Sequence, residues 1–193
     1  MILVSHRTLW VRLALLAGVG ALVCFPARSI RASHPSEYEV EAAYLYNFGR
    51  FVQWPNDIPS SRVDQFPICV LGADPFGPAL DVTISGEKIG GKSVVARRIS
   101  EIGTATTCRV LFISSSEDKR VKEILAAAEK LSILTVSDIP RFIEDGGMVQ
   151  FILADRTVRF AINLDAAQQA RLNLSSQLLK VAVQVKGNPR PGM

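Results

Sequence analysis

The stretch CRVLFISSSEDKRVKEILAAAEKLSILTVSD, residues 108–138, decides the fold. It opens with a continuous apolar run, CRVLFIS, and closes with another, ILTVSD. Runs of that kind are strands covered on both faces, as parallel sheets require. Between them lies EDKRVKEILAAAEK, a charged and apolar mixture that reads as a helix opened by Ser116. Strand, helix, strand is the repeating unit of an α/β domain.

Working outward, the same grammar continues. FPICVLG (66–72) is a further buried strand, ADPFGPALD (73–81) a loop and short helix, and KSVVARRI (92–99) an alternating strand. Upstream, Ser36 and Glu39 form a capping box for a helix that Pro55 ends, with Leu45, Phe48 and Val52 on one stripe. Residues 56–65 read as a loop. Downstream, Asp138-Ile139-Pro140 starts a short helix stopped at Gly146-Gly147. MVQFIL (148–153) and TVRFAI (157–162) are separated by three residues and form an antiparallel hairpin. Asp165 with Gln168 makes a second capping box, and Ser175 caps a last helix from Gln177 to Val185. The expected fold is α/β: a mostly parallel central sheet flanked by helices, with a C-terminal β-hairpin and terminal helices.

Arg7 and Arg12 precede a 13-residue apolar run, Leu13 to Phe25. That is too short to span a bilayer and suits the core of a secretory signal. Residues 1–32 are therefore expected to be a signal peptide, 33–186 a single domain and 187–193 a disordered tail. An uncleaved anchor, or a lipid on Cys24, is the alternative for the leader. The leader holds four arginines and no acid, so the remainder carries 18 basic and 18 acidic residues. A balanced domain lacks the positive face that nucleic acid requires.

Chemistry is sparse. His34 is the one histidine beyond the leader, so neither a Ser-His-Asp constellation nor a His/Cys metal site can be assembled. No cofactor is expected. GEKIGGKS (86–93) fits the P-loop pattern by letter. A phosphate loop must open a helix, whereas Val94-Val95-Ala96-Arg97-Arg98-Ile99 continues as a strand, so nucleotide is not expected. Cys69 and Cys108 remain after export. An even count outside the cytoplasm suggests a disulfide, and parallel neighbouring strands would bring the two within reach; two buried free thiols are the alternative.

Taken together, EVEAAYLYNFGRFVQWP, ICVLGADPFG, CRVLFIS, ILTVSD and GGMVQFILADRTVRFAINLDAAQQARLNLSSQLLKVA resemble the YfiR-type periplasmic proteins over residues 37–185. The G-G-M, R-F-x-I-N and L-S-S-Q-L-L elements carry the resemblance most strongly. It implies a periplasmic protein without enzymatic activity. Its best-known relatives bind the periplasmic part of an inner-membrane diguanylate cyclase and hold it inactive, lowering cyclic-di-GMP output and biofilm formation. Others stand beside sensor kinases or outer-membrane receptors. It also implies a homodimer and a Cys69–Cys108 bridge; a second bridge found in some relatives has no cysteines here. The competing reading is a periplasmic small-ligand-binding protein serving a receptor, transporter or sensor kinase.

For partner binding, the residues expected at the surface are Arg159, Ala161, Gln168, Gln169 and Arg171, with Leu172 as an apolar anchor. Asn163 and Ser175 are read as structural, bonding backbone where strand passes to helix. Trp54, Tyr46 and Phe48 are read as core packing of the first helix, or else as a dimer face or small-molecule pocket.

Overall fold

The structure is a computed structural model that describes residues 35–55 and 64–188. The signal peptide assigned to 1–32, His34, most of the loop at 56–65 and all but two residues of the tail lie outside the described residues. In chain order the elements are α1 Glu37–Phe51, β1 Val52–Gln53, β2 Gln65–Leu71, α2 Pro78–Ile84, β3 Lys88–Ile89, β4 Lys92–Ile99 and β5 Val110–Ile113. They continue with α3 Val121–Ala128, β6 Leu134–Ser137, β7 Val149–Ala154, β8 Thr157–Asn163, α4 Leu164–Gln169, β9 Asn173–Leu174, α5 Ser176–Val181 and β10 Gln184–Lys186.

Among the described residues the main sheet has eight strands in the order β10-β8-β7-β6-β5-β2-β4-β3. The pairs β4-β2, β2-β5, β5-β6, β6-β7 and β8-β10 are parallel; β7-β8 and β3-β4 are antiparallel. The expected α/β class and C-terminal hairpin are what the chain forms. The central strands divide their side chains by alternation. Phe66, Ile68 and Val70 of β2 and Val110 and Phe112 of β5 enter a core with α1, α2, α4 and α5. Cys69, Leu71, Leu111 and Ile113 enter a second core with α3. A strand buried on both faces needs apolar residues at every position, which is why these runs are continuous.

Cys69 in β2 and Cys108, just before β5, form a disulfide with a Cα separation of 5.9 Å. It lies within the α3-side core, where both cysteines are buried. The capping box at Ser36 and Glu39 is present in both directions.

Several local expectations are corrected by pairing partners remote in sequence. The first helix ends at Phe51 rather than Pro55, because Val52 and Gln53 leave it to pair with Leu174 and Asn173. The segment opened by Ser116 begins as a 3-10 turn, 115–120, and becomes α-helical only at Val121. Its cap is Ser114, whose hydroxyl accepts from Ser116 N, while Ser116 Oγ accepts from Ala73 N. No helix forms at 138–147; those residues make turns. The cap of α4 is Asn163, not Asp165. The last helix stops at Val181, and 184–186 become the edge strand β10.

Candidate docking face and buried carboxylates

The hairpin β7–β8 turns through Asp155 and Arg156, both at positive φ (51° and 59°), with Ala154 opposite Thr157. Phe151, Val158, Phe160 and Ile162 face the α1-side core. Arg159, opposite Ile152, alternates to the other face and is exposed. Leu164 and Ala167 of α4 belong to the same core as Phe160. The six residues expected to share one surface are therefore divided: Arg159 lies on one side of the sheet and α4 packs on the other. Ala161 and Leu172 are 1% and 2% exposed, which corrects their assignment to the surface. Ala161 is hemmed in because β10 runs alongside it, and Leu172 is drawn into the core by the turn after α4. Gln169 and Arg171 are exposed; Gln168 is half-buried, and its Nε2 donates to Asn188 O at 3.2 Å.

Asn163 ties the end of the hairpin to the start of α4 and to the turn before β7. Its Nδ2 donates to Ile143 O at 2.9 Å and its Oδ1 accepts from Ala166 N at 3.1 Å. Being 4% exposed, it satisfies two backbone groups that water does not reach. Gly146 takes φ +106°, and at Gly147 a Cβ would collide with the Phe142 ring. The first glycine serves a backbone angle, the second a close approach.

A feature beyond the expected set lies on the α1 side. Tyr44, Asn47, Phe48, Phe51, Phe160, Gln177, Leu178 and Val181 line a cleft of about 340 Å³ between α1 and α5. Its floor is an aromatic cluster, with Phe48 5.1 Å from Phe160 and 5.9 Å from Phe151 between ring centres. Past the cleft the chain runs into β10, which is an outer edge of the sheet. Val181, Val183 and Val185 are 66%, 48% and 38% exposed. Valine at every second position is a strand signature; a last helix extended to Val185 conceals it. The far end of β10 adjoins α4, since a Cβ on Gly187 would meet the Asp165 carboxylate.

Trp54, Tyr46 and Phe48 do not form one cluster. Phe48 is core, Trp54 packs edge-on to Phe66 at 5.3 Å, and the Tyr46 hydroxyl donates to Glu87. The P-loop letters form a hairpin: Gly90 and Gly91, at φ 57° and 79°, turn β3 into β4, and Ser93 lies within β4. Positive φ at both central positions is what a two-residue hairpin demands.

Buried carboxylates form the other unexpected feature. Glu41 on α1 is 1% exposed, and its Oε2 is buried without a hydrogen-bond partner. Asp138, just past β6, buries an unpartnered Oδ1. Burial pushes Glu41 up to about 8 from its ordinary 4.5, and the negative charges of Asp138 and Glu37 add to the rise. Burial raises Asp138 as well, and it raises the Tyr38 phenol on the same turn of α1. Glutamate in an amphipathic run reads as a solvated face, so sequence carries no signal that position 41 points inward.

At the carboxyl ends of β2 and β4, Gly72, Ala73, Arg98, Ile99, Ser100, Ser116 and Glu117 line an open crevice of about 560 Å³. The chain leaves β2 towards β4 on one side and places β5 on the other, so this crevice stands where strand order reverses. Arg98 is engaged by Asp74 and Asp81, at 2.9 and 2.6 Å. No helix among the described residues is long and apolar enough to cross a membrane, and among them no cluster of His, Cys, Asp and Glu is arranged to hold a metal.

The profile of a family described as YfiR/HmsC-like matches residues 38–183. Comparison with curated proteins gives no match. Among solved structures, a conserved domain protein from Vibrio cholerae is similar at a TM-score of 0.54 and 11% identity, over 80% of this chain and 62% of that one. An ABC domain in complex with L-Trp from Streptococcus pneumonia is similar at a TM-score of 0.47 and 10% identity, over 62% of this chain and 55% of that one. The chain thus spans roughly six tenths of the solved structures it resembles, and at 11% identity the likeness to the first concerns fold alone.

Proposed function

The chain belongs to the YfiR/HmsC-like family, and from that premise we propose that it is a periplasmic regulatory protein that acts by binding, not by catalysis. It docks on the periplasmic part of an inner-membrane signalling protein, a diguanylate cyclase, and represses it. The observation that carries the docking reading is the open edge of the sheet. Among the described residues β10 pairs with β8 alone, and exposed Val185 on it, with Val183 and Val181 just before it, continues an aromatic cleft. An unpaired edge offers backbone donors and acceptors to an incoming strand, and alternate apolar side chains add affinity. Natural edges are usually blunted by charge or proline; β10 carries one charge, Lys186, beside exposed Val185. Gln169 and Arg171 on α4 and the turn after it border this face, and Arg159 contributes from beyond the sheet.

The test is site-specific photocrosslinking in the native host. A crosslinker at Val183 is expected to capture an inner-membrane protein bearing a cyclase domain, and one at Glu129 is not. Val181→Glu with Val183→Glu is expected to abolish the capture and raise cyclic-di-GMP as deletion of the protein does. Deletion without effect on cyclic-di-GMP, together with no crosslink to a cyclase from Val183 or Arg159, would overturn the proposal. The crevice at Gly72 and Ser116 favours a second reading, a small-ligand site serving a receptor, transporter or sensor kinase. Thermal stabilisation by periplasmic extract that a Gly72→Val substitution removes is the result expected of that reading.

A further inference from the structure

Glu41 on α1 is buried at 1% exposure, Glu37 and Tyr38 lie within one turn of it, and the charge of Asp138, just past β6, reaches it. Both Glu41 Oε2 and Asp138 Oδ1 are buried without a partner. Among the described residues, the other elements packed on α1 bring no compensating cation, and Arg141, on the turn after Asp138, is exposed. On α2, Asp81 is held by Arg98. β5 carries no charged residue. On β8, Arg159 points to the opposite side of the sheet from α1, and Lys180 of α5 is exposed. On β1 there is no ionisable side chain.

We propose that Glu41 and Asp138 are a proton-operated latch, which holds the N-terminal half of α1 on the sheet while Glu41 is protonated and loosens it when the proton leaves. A neutral carboxyl tolerates burial beside Asp138; a second anion there finds no donor or counter-charge among the described residues. The rise of Glu41 to about 8 places the change in a range that an exported protein meets. The direction is set by linkage. In the unfolded chain Glu41 ionises near 4.5, and in the folded chain near 8. The stabilisation is complete below the lower value and is lost progressively as pH rises towards the upper one, since the unfolded state releases the proton first. The latch sits on the helix that also supplies Tyr44, Phe48 and Phe51 to the cleft, so its release alters that wall.

Urea unfolding of the purified protein at pH 5, 6, 7, 8 and 9 tests this without any partner, so its outcome is separable from that of the docking proposal. Within the window set by Glu41, the unfolding constant of the wild type is expected to rise by up to about tenfold per pH unit and to level off above it. Glu41→Gln is expected to remove that rise, and Asp138→Asn to shift its upper limit to lower pH. Amide exchange in residues 37–45 is expected to quicken above pH 8, beyond the intrinsic base-catalysed increase, in the wild type and not in Glu41→Gln. Equal pH slopes for wild type and Glu41→Gln would overturn the latch. Should Glu41→Gln fail to fold, an Asp138→Asn profile that superimposes on the wild type would do the same.

Discussion

The centre of the sheet and its β10 edge are built to opposite rules. At β2, β5 and β6 nearly every side chain is buried, helices or packed turns cover both faces, and a disulfide ties β2 to the start of β5. At β8 and β10 one face carries Arg159 in solvent, the outermost strand has three residues, and exposed valines stand on it (Val185) and just before it (Val181 and Val183). The centre resembles a domain core cut to length. The edge resembles half of an interface, finished only when something covers it. Stability is concentrated in one region and recognition capacity in the other, so substitutions in each are expected to separate the two properties.

The disulfide is the strongest test of that division. Its loop of 39 residues constrains the unfolded chain, and its removal by Cys69→Ser with Cys108→Ser is expected to cost about 4 kcal/mol. Denaturant unfolding with and without reductant measures it; a loss under about 1 kcal/mol would mean that the core there holds without its staple. Next in size is Asn163→Ala, at the junction of the two regions. It leaves the Ala166 amide without its side-chain partner and the Ile143 carbonyl with Lys186 Nζ alone, at 3.4 Å, for an expected loss of about 2 kcal/mol. Smallest is the edge. Val183→Glu is expected to change stability by about 0.5 kcal/mol or less while removing partner capture. A loss of several kcal/mol at Val183 would make β10 a part of the core and erase the contrast.

Legibility divides along the same line. The buried strands, the capping box at Ser36 and Glu39, and the Cys69–Cys108 pairing can be read directly, because each is written in neighbouring letters or in a count. The docking end is harder. Val181, Val183 and Val185 read as helix on the strength of the Ser175 cap, which α5 does use, although it ends at Val181. Asp165 has the spacing of a cap to Gln168; Asn163 takes the role because its position at the end of β8 also lets its amide reach Ile143. Ala161 and Leu172 look like surface letters in a polar context, yet the neighbouring strand and turn bury them.

Hydrophobic runs and caps thus tell which segments become strands and where most helices begin, since those choices are settled by the period of burial and by unsatisfied amides within a few residues. Where elements end, which side of a strand meets water, and that Glu41 is buried within reach of the charge of Asp138 depend on contacts across the chain. Val52 needs Leu174, β10 needs β8, and Glu41 needs the end of β6. Pairing and burial of that kind are properties of the assembled sheet, and no local stretch of letters contains them.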